Sequence, residues 1–293
     1  ATGATKRLDV DQNQQVFTYQ GWSVNATDID LSSDGQFLTF ALRDTEDSVT
    51  WGNQETKIYR KNLLNGTIVR VDGSKRGGYS SSPRSNNDGS LILFTSNKDL
   101  LGKSLSTDTL YLANLSTNTF QIINQKGDGS IFSSDYGWNG DISGDGRYVV
   151  FQTGVPLVPD DTNGIADVYL KDLTSSIIRR ISKNETGGIY PYISQDGNFI
   201  AYQVYNSTTP YLRLYSNADN STLMLPGVNP KNSGNFNSES INSLGNSGGI
   251  MWTWKDYSVL DNNNDADYYY FGVGENIEKS EYSLNQNSFE FQE

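Results

Sequence analysis

The sequence predicts an all-β protein, a β-propeller of five four-stranded blades, and three observations carry that prediction. The first is a repeated phrase in which a tight Asp-Gly turn feeds an apolar run. It reads Ser32-Ser-Asp34-Gly35-Gln-Phe-Leu-Thr-Phe40, Asn86-Asn-Asp88-Gly89-Ser-Leu-Ile-Leu-Phe94, Ser143-Gly-Asp145-Gly146-Arg-Tyr-Val-Val-Phe151 and Ser194-Gln-Asp196-Gly197-Asn-Phe-Ile-Ala-Tyr202. A worn fifth copy runs Asn246-Ser-Gly248-Gly-Ile-Met-Trp252-Thr-Trp254. The second is the period: the anchoring glycines 35, 89, 146, 197 and 248 are spaced by 54, 57, 51 and 51 residues. The third is that no stretch holds a 3.6-residue apolar period over a dozen positions, so helix content is expected to be small. Four short strands per unit of about 50 residues, repeated radially, is propeller design, because one such sheet cannot cover both of its faces alone.

In chain order, residues 4–10 (Ala-Thr-Lys-Arg-Leu-Asp-Val) read as a lone strand like the end of a repeat, as in Thr67-Ile-Val-Arg-Val-Asp72. A chain that starts on the last strand of a unit is expected to close its ring with that strand, which removes two exposed sheet edges. Within each unit, strand one precedes the turn and strand two is the apolar run ending in an aromatic. Strand three follows a variable loop (Lys57-Ile-Tyr-Arg60, Thr109-Leu-Tyr-Leu112, Val168-Tyr-Leu-Lys171, Tyr211-Leu-Arg-Leu214, Tyr268-Tyr-Tyr-Phe271), and strand four follows a polar turn. The aromatics Phe40, Phe94, Phe151 and Tyr202 are assigned to the space between blades. Since the copies run almost end to end, residues 1–293 are expected to form one domain, with blades at about 23–75, 79–125, 138–184, 189–226 and 236–284. Six blades is the alternative count.

Composition removes several function classes. The chain has no Cys and no His, which excludes disulfide frameworks, thiolate zinc sites, Cys nucleophiles, Ser-His-Asp triads and His-ligated transition metals. A formal charge of −12 disfavours nucleic acid and anionic membrane surfaces, and no apolar run approaches the ~20 residues of a membrane span. An extracellular, cell-surface or periplasmic protein is expected, its signal peptide removed or left out of this sequence.

The repeated phrases resemble the WD-like repeat of the TolB-type β-propeller family, in which a strand is followed by Ser-x-Asp-Gly, four residues and an aromatic. The third copy carries the likeness furthest: Ile142 to Phe151, then Leu157-Val-Pro-Asp-Asp-Thr-Asn-Gly-Ile-Ala-Asp-Val-Tyr-Leu-Lys-Asp172, a variant of exported bacterial propellers. The likeness covers most of residues 28–282 and implies fold more than role, since propellers host binding, scaffolding and catalysis alike. Six blades are commoner in that family, and the fifth copy here has Ser247-Gly248 where the turn needs Asp-Gly.

Three groups of residues are candidates for function. The loops before strand three place Asp161, Asn163 and Asp167 in copy three and Asp261, Asn263, Asp265 and Asp267 in copy five, the alternating oxygens that a hard cation such as Ca²⁺ takes from a tight loop. Neither loop is an EF-hand, and Asp, Asn and Gly also dominate ordinary turns. The connections entering each blade repeat a glycine with a ring behind it: Trp22, Tyr79, Trp138, Tyr190 and Phe236. Rings on one rim would stack on a sugar or on a protein partner's side chains, or else wedge between blades. On the inner strand, positions −5 and −7 from the turn glycine share one side: Asp30 and Asp28, Arg84 and Ser82, Asp141 and Asn139, Tyr192 and Tyr190.

From these residues the expected function is a non-enzymatic exported module that offers one propeller face to a glycan or protein partner, with Ca²⁺ as the candidate stabilising ion. The alternatives are a carboxylate-based glycoside hydrolase using Asp30, Asp141, Arg84 and Tyr192, and a structural domain of a larger surface protein. Inner-strand carboxylates also fasten neighbouring blades by accepting backbone N–H groups, and that reading competes with the hydrolase.

Overall fold

A computed structural model describes residues 10, 13, 15, 18–19, 22–23, 26–44, 55–74, 77–103, 108–126, 129–132, 139–183, 187–204, 211–224, 241–244, 250–254 and 267–271. A two-stranded ribbon, β1 (Thr18–Tyr19) and β2 (Trp22–Ser23), comes first. Sheet one is β3 (Ala26–Leu31), β4 (Phe37–Asp44), β5 (Glu55–Asn62) and β6 (Ile68–Arg70), and sheet two is β7 (Ser80–Ser85), β8 (Leu91–Ser96), β9 (Thr109–Asn114) and β10 (Thr119–Ile122). Sheet three holds β11 (Gly140–Ile142), β12 (Tyr148–Thr153), β13 (Asp167–Asp172) and β14 (Ile178–Arg180). Sheet four holds β15 (Ile189–Ile193), β16 (Phe199–Val204), β17 (Tyr211–Ser216) and β18 (Thr222–Met224). The fifth copy forms β19 (Ile241–Leu244), β20 (Ile250–Trp254) and β21 (Asp267–Phe271). Every sheet is an antiparallel meander in chain order, and the inner strands β3, β7, β11, β15 and β19 follow one another from sheet to sheet.

The protein is thus an all-β propeller, but the expected five four-stranded blades are corrected, as is the alternative of six. The described residues build four four-stranded sheets and a fifth of three strands. The fifth copy also differs from the others in the sequence of its turn. In copies one, three and four the turn is closed by a bracket: Ser32 Oγ donates to Asp34 Oδ1 at 2.6 Å while accepting from Phe37 N, and Asp34 Oδ1 also accepts from Gln36 N. Ser143–Asp145 and Ser194–Asp196 repeat it at the same 2.6 Å. In copy two Asn86 replaces the serine and its Oδ1 accepts from Leu91 N. Ser247-Gly248 has no carboxylate with which to make that bracket. Of the expected closing strand, only Val10 is among the described residues.

The second strands read as near-continuous apolar runs because each sheet is covered on both faces, by the blade before and the blade after. Phe40 and Tyr59, Phe94 and Tyr111, and Phe151 and Tyr169 are cross-strand partners whose rings stack at 6.0, 5.9 and 6.1 Å. The four aromatics at the end of strand two are fully buried, as expected of inter-blade core. The turns have a second task, since Asp34 N donates to Asn87 O, Asn87 N to Gly144 O, and Gly144 N to Gln195 O. Backbone hydrogen bonds therefore pass from blade to blade along the turns.

Candidate functional site at the head of the inner strands

The inner strands β3, β7 and β15 begin with an irregularity. The register slips between Thr27 and Asp30, between Ser81 and Arg84, and between Ile189 and Tyr192. The residue inside each slip has a left-handed backbone: Asp28 (φ 48°), Ser82 (φ 52°) and Tyr190 (φ 52°). Non-glycine residues adopt this region at a cost of order 1–3 kcal/mol, and bulges of this kind re-aim side chains beside functional sites. The repeat of one strained conformer at position −7 in three blades makes it a feature of the design.

These heads surround a cavity of about 160 Å³ lined by Asp28, Ile29, Ser82, Arg84, Asn139 and Tyr190 together with Gly140, Pro191 and Tyr192. Arg84 is the one cation among its described lining residues. The guanidinium lies over the Tyr192 ring, 5.8 Å from its centroid, and donates from NH1 to its neighbour Pro83 O at 3.0 Å. Burial acts to lower the Arg84 pKa, but Asp141, Tyr192 and Asp30 outweigh it and hold it above its ordinary value. Asp141 is raised to about 6, by burial first, with Asp30 adding to it and Arg84 and the amides of Ile193 and Ile142 opposing. Asp30 is raised for the same first reason, against Ser85 and Arg84.

The two carboxylates are also fasteners. Asp30 Oδ2 accepts from Ser85 N at 2.8 Å and from Ser85 Oγ, and Asp141 Oδ2 accepts from Ile193 N at 3.0 Å. Both bonds run from position −5 of one blade to position −4 of the next. Blade two has Arg84 at −5, which cannot accept, and there Asp141 Oδ1 takes the Ile142 N–H itself at 2.9 Å. Asp28 Oδ2 accepts from Ser82 N at 3.2 Å, a second row of the same kind.

Of the rim rings, Tyr190 is 44% exposed and belongs to this cavity, its N–H bonded to Gln152 Oε1 at 2.6 Å. Tyr79 is half-buried away from it; its hydroxyl donates to Asp108, and burial together with that carboxylate pushes its pKa up to about 12. Trp22 starts β2, with its side chain outside the described residues, as are Trp138 and Phe236 altogether. Asp261, Asn263 and Asp265 lie outside them too, and Asp267 is described only as the first residue of β21.

In the copy-three loop, the oxygens proposed for a cation are engaged by protein groups. Asp167 accepts from Asn163 Nδ2 at 2.9 Å and from Ser182 Oγ, and lies 3.1 Å from Arg180 NH2. Asp161 accepts from Tyr169 OH and lies 3.7 Å from Arg180 NH1. Among the described residues, no group of three or more carboxylates gathers around one point. A residue missing from the sequence-based candidates is Ser85, at position −4 from the turn glycine. Being polar in a row otherwise filled by Leu31, Ile142, Ile193 and Leu244 was its signal.

No family model matches the chain, and no curated protein matches it. Solved structures do. The chain is similar to TolB from Acinetobacter baumannii (16% identity, TM-score 0.57), covering 86% of this chain and 53% of that one. It is similar to a putative TolB from Agrobacterium tumefaciens (16%, TM-score 0.55, 86% and 78%) and to the β-propeller domain of the Trilobed protease from Pyrococcus furiosus (13%, TM-score 0.53, 86% and 69%). The chain therefore spans about half the length of the Acinetobacter protein. At these identities the likeness establishes the fold, a β-propeller of the TolB type.

Proposed function

We propose that this TolB-type propeller is an exported, non-catalytic interaction module that receives a cationic side chain of a protein partner at the head of its inner strands. The observation that carries the reading is the cavity there, in which the exposed Tyr190 ring shares a lining with Asp28, Arg84 and Tyr192. Behind it stand Asp30 and Asp141, the two carboxylates that act on the Arg84 guanidinium. With Asp28 in the lining, carboxyl groups outnumber the guanidinium three to one. An acidic, partly aromatic recess favours a Lys or Arg side chain by charge and by cation–π attraction.

The cavity is small, about 160 Å³, and suits one side chain better than an oligosaccharide. Residues 261–267 are the remaining proposed place for a Ca²⁺ ion; a melting curve with Ca²⁺ and with EDTA tests that separately. The function is tested on a peptide array graded in Lys and Arg content, beside a glycan array. Binders enriched in basic residues that are lost in Tyr190→Ala and in Asp28→Asn support the reading. Tyr190-dependent binding to glycans alone would replace it.

A further inference from the structure

A second cavity, of about 190 Å³, opens between the outer parts of blades three and four, far along the sheets from the inner strands. It is lined by Arg179, Arg180, Ile181, Lys183, Tyr202 and Tyr215, with Asn220 and Thr222 at its edge. The register explains why this junction is open. Thr222 pairs with Tyr215 in β18–β17, the position at which Phe120 pairs with Ala113 in β10–β9. At the junction of blades one and two, Phe120 fills the space. Its ring packs edge-on to Phe94 and Tyr111 at 6.3 and 6.4 Å and comes 3.7 Å from where a Cβ on Gly73 would stand. Blade four puts an exposed threonine there, and Lys183 stands where Gly73 does. The gap is the result.

Its chemistry is specific. Tyr202 and Ile181, both buried, give it an aromatic and apolar lining, and Tyr215 adds a second buried ring. Among the three cations, Arg180 is answered by Asp167 at 3.1 Å and Asp161 at 3.7 Å, and Lys183 by Asp160 at 3.5 Å. Arg179 is different. NH1 and NH2 donate to the neutral amide oxygens of Asn220, at 2.9 Å, and Asn217, and no carboxylate pairs with it among the described residues. Asn220 Oδ1 is itself fixed by Tyr215 OH at 2.6 Å, so the guanidinium is held in place while its charge is left open. Arg180, buried and lining the same gap, has an Nε–H with no hydrogen-bond partner.

We infer that the gap between blades three and four is a binding site for a small organic carboxylate, whose charge pairs with Arg179 and whose apolar or ring-shaped body packs on Tyr202, Ile181 and Tyr215. One open guanidinium with a planar donor fork matches one carboxylate, and an apolar lining gives nothing to a bare inorganic anion. The site is separate from the inner-strand cavity and stands whether or not that cavity receives a partner.

The test uses the whole chain with benzoate as probe, read by saturation-transfer NMR and calorimetry, with benzamide and inorganic phosphate as comparators. Benzoate is expected to bind, benzamide to bind about tenfold more weakly or worse, and phosphate more weakly than benzoate. Arg179→Gln is expected to weaken benzoate about tenfold, and Thr222→Phe, which copies the plug of blade two, to abolish it. Melting curves of both variants report whether they fold. The benzoate–benzamide comparison in the unaltered chain stands without them. Absence of benzoate binding, equal binding of benzamide, or benzoate binding undiminished in a folded Thr222→Phe would overturn the proposal. Phosphate binding as tight as benzoate would overturn the carboxylate assignment.

Discussion

Lys61 Nζ donates to the carbonyl oxygen of Val10 at 2.8 Å, with both residues buried. Two blades later the same bond recurs at the same length: Lys171 Nζ donates to Ile123 O, the residue that follows β10 in the preceding blade. Lys61 and Lys171 hold equivalent places in β5 and β13, so Val10 stands where the end of a preceding blade's last strand would stand. Ala113 and Tyr215 hold that place in blades two and four, packed in the same clusters as Val71 and Ile181. This is the support for residues 4–10 as the strand that closes the ring, a proposal tested by deleting them. A large loss of melting temperature is expected, whereas removal of a merely dangling tail would leave it unchanged.

Lys171 gives a pH signature. Burial lowers its pKa below the usual 10.5, so the folded state holds the proton less well than the unfolded chain. The cost of charge is present at neutral pH and is relieved as pH rises through the folded pKa toward 10.5. Lys171→Met, with an apolar residue as in blade two, is expected to change stability at pH 7 by no more than about 1 kcal/mol. It should also lose the wild type's gain in stability between neutral and alkaline pH, read from urea denaturation across that range.

Asp141 runs the other way. Its folded pKa, raised from 3.8 to about 6, means that the folded state prefers the protonated carboxyl. Stability is therefore greatest from this group below pH 4 and declines as pH rises through the window between about 4 and 6, by up to about 3 kcal/mol. Asp141→Asn still accepts from Ile193 N through its amide oxygen and cannot ionise. Its denaturation midpoint is expected to be flatter across that window than the wild type's. An unchanged slope would mean that other carboxyls carry the dependence.

The turn glycines separate two costs. Gly35 (φ +69°) has nothing within 4 Å of an added Cβ, whereas at Gly146 (φ +72°) that Cβ would meet Leu91 Cδ1 of the preceding blade at 2.3 Å. Gly35→Ala is expected to cost about 1 kcal/mol, for the left-handed backbone alone. Gly146→Ala adds the displacement of Leu91 and is expected to cost about 2–4 kcal/mol, measured by the same denaturation.

At the junction of blades one and two, Lys98 Nζ lies 2.6 Å from Asp72 Oδ2, with both side chains almost wholly buried. Asp72 also accepts from Arg70 Nε and Ser80 Oγ. Lys98→Ala leaves that carboxylate short of its best partner and is expected to destabilise by about 3 kcal/mol. The double variant Lys98→Met with Asp72→Asn should recover part of the loss, because the uncompensated charge is gone.

What could be read from the sequence was whatever is closed within one blade. The Ser-x-Asp-Gly bracket is made by residues two to five apart, so the motif states its own hydrogen bonds. The repeat put Asp28, Ser82, Asn139 and Tyr190 at one position of their strands, and they do line one cavity. Relations between blades were only partly legible. That inner-strand carboxylates take N–H groups of the next blade was expected, but not which ones, 55 residues on for Asp30 and Ser85, and the gap that Thr222 leaves is visible only against Phe120 in another sheet. The fifth blade was over-read from its regular repeat spacing: its described residues give three strands, and residues 272–293 lie outside them.

The inner-strand cavity as a receptor for a basic side chain is tested most directly by calorimetric titration of the strongest Lys- or Arg-containing peptide from the array into wild type, Tyr190→Ala and Asp28→Asn. Each substitution is expected to weaken binding about tenfold, with added salt weakening the wild type toward the Asp28→Asn value. Equal affinity in all three folded proteins, insensitive to salt, would contradict it.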